Sequence, residues 1–141
     1  MSEGRTVTGE AAVLTTVSAD GFPHHAFLSR DEWAVREDGR YALSLPAASR
    51  SAANLRERPR AAFCVRRRAA LLVASLEHRE RPRESSADGS RAAFLFEVVA
   101  ERVAAGAPGE RARVLNGISF SRLETLQESR RRRAVAKELL A

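Results

Sequence analysis

Residues 13–65 carry most of the signals that indicate a fold, and they read VLTTVSADGFPHHAFLSRDEWAVREDGRYALSLPAASRSAANLRERPRAAFCV. Asp-Gly pairs at residues 20–21 and 38–39 lie between apolar or alternating runs, and a third pair follows at 88–89. Asp-Gly supplies the positive φ angles that tight hairpin turns require. Each pair therefore predicts a β-hairpin.

Short apolar or alternating runs surround these turns and continue along the chain. They span residues 12–17, 25–28, 33–35, 40–45, 61–65, 71–76, 94–101 and 114–120. Alternation along 40–45 places Ser44 on the face opposite Tyr41, Leu43 and Leu45. In the same way, Phe94, Phe96 and Val98 form a second apolar row, which is predicted to lie in the core. Residues 79–90 and 104–110 are predicted loops. Many short strands at close spacing indicate an antiparallel barrel, so the predicted fold is mainly β.

Two helices are predicted between and after these strands. The first covers residues 47–58, with Ser49 or Ser51 as its N-cap, and it ends before Pro59 because proline disfavours a continuing helix. The second covers 121–141, since Ser121 and Glu124 have the spacing of a capping box. Four arginines at 130–133 interrupt its apolar positions, so we expect its middle to meet solvent or a partner's acidic surface.

Composition indicates one globular domain over residues 1–141. Apolar types make up 44% of the chain, enough for a core that needs no disulfide or metal, and Cys64 has no second cysteine to pair with. The chain has no run of about 18 apolar residues, so no transmembrane helix is predicted. The first ten residues lack the apolar centre of a signal peptide, so we expect a cytoplasmic protein.

The basic charge does not by itself predict a nucleic-acid partner. Residues 1–70 hold 11 basic and 8 acidic side chains and residues 71–141 hold 13 and 10, which leaves +3 on each half. Arginine clusters at 66–68 and 130–133 lack interleaved aromatic residues for base stacking. They are more typical of a solvated face.

The usual catalytic and metal-binding patterns are also missing. His24 and His25 are adjacent on a predicted strand and point to opposite faces, so they do not predict a zinc site. No histidine lies beside a candidate nucleophile, and Gly-rich phosphate loops are absent. Cys64 lies in an apolar run, which is typical of a small buried hydrophobic residue.

The segment 47–55 is the remaining candidate for a site. It joins Ser49, Arg50 and Ser51 to a predicted helix start, where free N–H groups and the helix dipole favour an anion. One interpretation is a phosphate cradle. The other is that serine simply caps the helix while Arg50 is exposed to solvent.

An ordered series of short motifs supports the first interpretation. A strand ends in Thr-Val and is followed by an Asp-Gly turn, a proline, a hairpin and the pattern Ser-Arg-x-x-x-Asn-Leu-x-x-x-Pro. The residues concerned are Thr16, Val17, Asp20, Gly21, Pro23, Ser49, Arg50, Asn54, Leu55 and Pro59. In order and spacing, this series resembles the pyridoxamine 5'-phosphate oxidase-like family of FMN-binding split β-barrels.

The resemblance implies a homodimer that binds FMN at the subunit interface. It assigns the phosphate to Ser49, Arg50 and Ser51, and it adds further cofactor contacts at Ser44, Ser29, Arg30 and Asn54. Ser51 stands where the oxidase has a lysine, and Ala26 and Asp31 stand where it has basic strand residues. The oxidase's C-terminal substrate residues have no counterpart in 121–141. We therefore do not expect the oxidase activity itself.

These observations predict an FMN-binding oxidoreductase that acts on a small-molecule substrate, with catalytic residues unassigned. A flavin carries the electron chemistry, so the lack of an acid–base pair does not contradict this prediction. One alternative is a related barrel that binds the deazaflavin F420. The other is a non-enzymatic flavin-binding or interaction module whose arginine clusters contact an acidic partner.

Overall fold

The computed structural model describes residues 5–79, 83–84, 89–105, 118–124 and 126–140. The strands within these ranges are β1 (Arg5–Val17), β2 (Pro23–Leu28), β3 (Trp33–Val35), β4 (Tyr41–Pro46), β5 (Arg60–Arg67), β6 (Ala70–Glu77), β7 (Arg83–Glu84), β8 (Arg91–Ala105) and β9 (Ile118–Glu124). The helices are α1 (Arg50–Glu57) and α2 (Leu126–Leu140), and a 3-10 turn covers Arg30–Glu32.

The strands form one antiparallel sheet in the order β2-β1-β5-β6-β8-β4-β3, with β9 added to β1 and β7 to β8. Two long strands change partners along their length. The first half of β1 pairs with β9 and its second half with β2, while β8 pairs first with β4 and then with β6. This sharing curves the sheet into a split barrel, which confirms the predicted mainly β architecture.

The core lies inside this curved sheet and is largely aromatic and aliphatic. Phe63 is fully buried and meets Trp33 and Tyr41 edge-on, with ring centroids 5.0 and 5.6 Å apart. Phe94 and Phe96 are buried as predicted, but Val98 is exposed. The apolar row of β8 therefore leaves the core where the strand moves from β4 to β6.

Two of the predicted Asp-Gly hairpins are present. Gly21 and Gly39 have φ angles of +86° and +84°, and the carboxylates of Asp20 and Asp38 accept backbone N–H bonds within their turns. Glycine is favoured at both positions because other side chains rarely adopt such angles. Of the third pair, Asp88 lies outside the described residues.

Several predicted boundaries are wrong at the end of the chain. Residues 118–120 are in a strand as predicted, but that strand, β9, continues through residues 121–124, where the capping-box prediction placed the start of a helix, and α2 begins only at Leu126. The physical reason is pairing: β1 extends back to Arg5 and presents a free edge, and β9 satisfies seven successive positions along it. Residues 114–117 of the predicted last strand lie outside the described range.

The predicted loops also need correction where the structure describes them. Arg83 and Glu84 pair with β8 as a short strand, and β8 continues through Ala105. The first predicted helix is confirmed as α1, which ends at Glu57 before Arg58 and Pro59. Neither described helix is long and apolar enough to cross a membrane.

Candidate functional site

The start of α1 combines a serine cap with unused backbone donors. Ser49 has an extended backbone, and its Oγ accepts a hydrogen bond from the Ala52 N–H at 3.2 Å. The N–H groups of Arg50 and Ser51 lie in the first helical turn, where no intrahelical acceptor exists. The first turn contains no acidic residue. An anion placed here therefore meets the positive end of the helix without a competing carboxylate.

Two side chains in this turn lack partners. Arg50 is exposed, and its guanidinium makes no hydrogen bond or ion pair with any described residue. Ser51 is only 2% exposed, and its hydroxyl likewise has no hydrogen-bond partner in the described part of the chain. A buried hydroxyl without a partner is uncommon in proteins. The first turn of α1 thus offers both an available cation and an unsatisfied polar group.

Asn54, one turn further along α1, has a different environment. It is buried, and its Nδ2 donates to Thr16 Oγ1 at 3.0 Å and to Ser18 Oγ at 3.4 Å. These bonds tie α1 to the end of β1. The Asn54 amide donors are therefore engaged by the fold, whereas Ser49, Arg50 and Ser51 have donors to spare.

Ser29 lies among carboxylates. Its hydroxyl oxygen is within hydrogen-bond distance of Asp31 and Glu32, and it accepts a bond from Arg132 Nη1 of α2 at 3.0 Å. Arg132 also forms an ion pair with Asp31 at 3.2 Å. Burial raises the pKa of Asp31, but the Ser29 hydrogen bond and the Arg132 charge outweigh burial and hold that pKa below its usual value.

Ser44 is buried on β4, and Arg91 links it to Glu32, one of the carboxylates beside Ser29. Arg91 donates from Nε to Ser44 Oγ at 3.1 Å and from Nη2 to the Ser44 carbonyl at 2.7 Å. The same Nη2 lies 2.9 Å from Glu32 Oε2. We call Ser29, Asp31, Glu32, Ser44, Arg91 and Arg132 the Ser29 network.

Arg30 is part of neither the α1 start nor the Ser29 network. Its guanidinium carbon lies 4.1 Å above the Trp33 ring, and its Nη1 donates to the Trp33 carbonyl at 2.7 Å. The seven predicted cofactor residues thus fall into separate surroundings. The structure brings Ser49, Arg50 and Ser51 together, links Ser29 to Ser44 through Glu32 and Arg91, and leaves Asn54 and Arg30 in bonds of their own.

The two groups differ in how well they fit a phosphate. The start of α1 fits, because it offers free N–H groups, the Ser49 and Ser51 hydroxyls and the guanidinium of Arg50. The Ser29 network does not fit, because Asp31 and Glu32 repel an anion and already hold the guanidinium groups of Arg91 and Arg132. Of the predicted residues, only the α1 group has the chemistry of a phosphate site.

The prediction from sequence missed Arg91 and Arg132. Arg132 belongs to the cluster 130–133, whose expected contacts were solvent or a partner's acidic surface, whereas Arg132 meets Asp31 of its own chain. A signal for this did exist: Arg132, Val135 and Leu139 are spaced for one helical face, and Leu139 is buried. No local pattern marks Arg91, whose partners are 47 and 59 residues away along the chain.

The other residues considered from sequence have ordinary environments. Cys64 is half-buried on β5, and burial raises the pKa of its thiol, which reduces its reactivity at neutral pH. His25 Nδ1 is 2.9 Å from the hydroxyl of Thr15 on the neighbouring strand. Within the described ranges, no group of three histidine, cysteine or acidic side chains has a geometry that could hold a metal ion.

Comparison with solved structures identifies the fold. A protein named F420 reductase matches with a TM-score of 0.55 and 15% identity, covering 66% of this chain and 89% of its own. A putative pyridoxamine 5'-phosphate oxidase from Listeria innocua matches with a TM-score of 0.53 and 16% identity, covering 68% and 89%. The flavin reductase of styrene monooxygenase from Pseudomonas putida S12 matches with a TM-score of 0.54 and 12% identity, covering 69% and 82%.

Comparisons by sequence give a different result. No protein-family model matches the chain, and no curated protein matches it. Identities of 12–16% support a shared fold and nothing finer. The order of strands, the two Asp-Gly hairpins and the Ser-Arg start of α1 agree with the resemblance that the motifs predicted. The chain therefore has the split β-barrel fold of the pyridoxamine 5'-phosphate oxidase-like proteins and of these reductases.

Proposed function

We propose that this protein binds a flavin-type cofactor through its phosphate at the start of α1 and supports a redox reaction on a small substrate. The observation that carries the proposal is the unpaired Arg50 beside the Ser49 cap and the unpartnered Ser51 hydroxyl. Similar folds named F420 reductase and flavin reductase favour this class of cofactor over other phosphate-bearing ligands.

Each residue of the α1 start has a distinct part in holding the phosphate. Arg50 supplies a guanidinium that can give two parallel hydrogen bonds to phosphate oxygens. The Ser49 oxygen already accepts from Ala52, so its proton is free to donate. The first-turn N–H groups add fixed donors and the helix dipole. A flavin bound here would supply electron transfer, while the protein supplies its binding and orientation.

Arg50 lies in the first turn of α1 with no partner among the described residues, whereas Arg56 Nη1 donates to the nearby Ala47 carbonyl at 3.0 Å. The other guanidinium groups near the predicted strand contacts are held by carboxylates or by Trp33. Replacing Arg50 with alanine should therefore weaken FMN binding about 10- to 100-fold, as expected for the loss of a charged hydrogen-bond donor. Isothermal titration calorimetry measures the change.

Two controls sharpen this test. Riboflavin has the same ring system without the phosphate, so its affinity should be nearly the same for the Arg50→Ala and unmodified proteins. Arg60→Ala removes an equally exposed arginine from β5, where it makes only a surface pair with Glu77, and should leave FMN affinity unchanged. FMN binding that survives Arg50→Ala intact would place the phosphate elsewhere and refute the assignment.

The identity of the cofactor needs a separate experiment. FMN and F420 both present a phosphate to the same helix start, so the described residues favour neither. We propose FMN first and F420 as the alternative. Mass spectrometry of any cofactor released on denaturation, followed by titration of the emptied protein with both compounds, distinguishes them. Oxidation or reduction that depends on an added substrate then separates an enzyme from a flavin-binding module.

We also propose that the protein works as a homodimer. Residues 97–104 of β8 are exposed along their whole length, and Val99, Val98 and Val103 are the large apolar side chains among them. In this half, β8 pairs with β6 on one edge only, among the described strands. A strand edge that is unpaired in the described part of the chain and exposes three valines favours association, and a second copy of the chain brings an identical, self-complementary surface.

A further inference from the structure

We propose that a cleft beside the turn between β5 and β6 binds a small organic anion with a flat apolar body, at a site separate from the start of α1. The cleft has a volume of about 370 Å³ and is lined by residues of β1, the 3-10 turn, β3 and β5. Small-molecule sites in proteins commonly occupy about 300 to 1,000 Å³ and often lie at the ends of β-barrels.

The deeper part of the cleft is apolar. Ala12 and Trp33 are buried, and Val65 is half-buried. Ala12 and Val65 are small side chains, and the Arg30 guanidinium lies over one face of the Trp33 ring. A ligand body that covers them loses contact with water without leaving a polar group unsatisfied. This surface favours an apolar ring over an inorganic ion.

The outer part of the cleft is strongly basic. Its charged residues are Arg30, Arg66, Arg67 and Glu10. Glu10 accepts two hydrogen bonds from Arg66, both at 2.7 Å, so its charge is neutralised within the cleft. Among the lining residues that the structure describes, positive charge then remains on Arg30 and Arg67. The positive charges of these two arginines favour a negatively charged ligand.

Arg67 has the donors that such an anion needs. It is exposed, and its guanidinium makes no hydrogen bond or ion pair with the residues that the structure describes. Arg30 is held over the Trp33 ring at 4.1 Å, which fixes its position at the edge of the apolar surface. We expect the anionic head group to bind the Arg67 guanidinium and the ring of the ligand to lie against Ala12 and Val65, which line the same cleft.

This cleft and the start of α1 use different parts of β1. The bonds from Asn54 attach α1 at Thr16 and Ser18, whereas the cleft uses residues 10–12. Four residues of extended strand span about 13 Å. The two sites also draw on different arginines, so each can be altered without the other.

The position of Trp33 provides a direct measurement. Trp33 is the single tryptophan of the chain and lines the cleft, so its fluorescence in the flavin-free protein should change when the cleft is occupied. Titration of the full-length protein with benzoate should change this fluorescence saturably, and benzamide, an uncharged compound of the same shape, should not. Phenyl phosphate tests whether the site prefers a phosphate or a carboxylate head. Inorganic phosphate should produce no saturable change.

Paired variants on β5 test the assignment. Arg67→Gln should weaken benzoate or phenyl phosphate binding at least about fivefold, because it removes the free guanidinium. Arg60→Gln, at the other end of the same strand, should leave that binding unchanged. Both Arg60 and Arg67 are exposed, so these variants should fold normally.

Three results would overturn the proposal. The first is the absence of a saturable signal with both aromatic anions, and the second is equal binding by Arg67→Gln and Arg60→Gln. The third is competition by FMN in the unmodified protein, which would show that the cleft is not a separate site. The first two results involve neither Arg50 nor FMN, so they leave the test of the proposed function independent.

Discussion

At the residue level, Asn54 joins α1 to the barrel through two hydroxyl partners. The resemblance predicts a cofactor contact at this position, and the structure gives it bonds to Thr16 and Ser18. Because Asn54 is buried, its removal leaves the Thr16 hydroxyl without a partner in the interior. We therefore expect Asn54 to stabilise the protein even when no cofactor is bound.

Asn54→Ala should lower the free energy of unfolding by about 2 kcal/mol, measured by urea denaturation of the cofactor-free protein. Thr16→Val gives the second variant of a double-mutant cycle, in which the coupling energy between the two residues should be about 1 kcal/mol. If Asn54→Ala unfolds like the unmodified protein but binds FMN less tightly, its role is cofactor binding and this prediction fails.

Among the elements, α2 is attached through described contacts that include an apolar patch and the Arg132–Asp31 ion pair. Leu139 is buried against Ala34 and Ala42, with Val135 and Leu95 beside them. Arg132 adds its bonds to Asp31 and Ser29. Because one described part of this attachment is an ion pair with a carboxylate, the attachment of α2 should depend on pH.

The direction of that dependence follows from the lowered pKa of Asp31. The unfolded chain binds a proton at this carboxyl near pH 3.9, while the folded chain resists protonation to lower pH. Stability from Asp31 is therefore fully present above about pH 4 and is lost as the pH falls through the folded pKa. Asp31→Asn should reduce the unfolding free energy by about 1 kcal/mol at neutral pH and by progressively less in acid.

Urea denaturation at a series of pH values compares the two proteins. Asp20→Asn serves as the control, because asparagine keeps an oxygen that can accept the Phe22 N–H in the β1–β2 turn. It should behave like the unmodified protein throughout. An Asp31→Asn deficit that is as large at pH 3 as at pH 7 would show that packing, and not charge, causes the loss.

For the whole molecule, the exposed residues 97–104 of β8 are the surface through which we expect two copies of the chain to form a homodimer. A charge placed on its most exposed valine should oppose burial between two subunits. The unmodified protein should have twice the 15.5 kDa chain mass in light scattering at micromolar concentration, and Val99→Asp should shift it toward the monomer mass. Val17→Asp makes the same change at an exposed valine on β1 and should leave the dimer intact. A monomeric unmodified protein would disprove the proposed homodimer.

Features set by a few neighbouring residues were predictable from sequence. The turns at Gly21 and Gly39 need positive φ angles, and the Ser49 cap and the stop before Pro59 delimit α1. These are local constraints, so the residues themselves specify them. The proposed phosphate site at the α1 start rests on three consecutive residues, so it too could be put forward from the sequence, and it stays a prediction.

Features that join distant segments were decided by the tertiary structure. Ser121 and Glu124 have a capping-box pattern, but they lie in β9 because the early part of β1 offers backbone partners that a helix start cannot match. Asp31 meets Arg132, and Ser44 meets Arg91, only after strands and helices far apart in sequence have packed together. Turn angles and helix caps depend on a few neighbouring residues, so local sequence patterns specify them. The partner of a charged side chain or of a strand edge depends on which distant segments pack together in the folded chain.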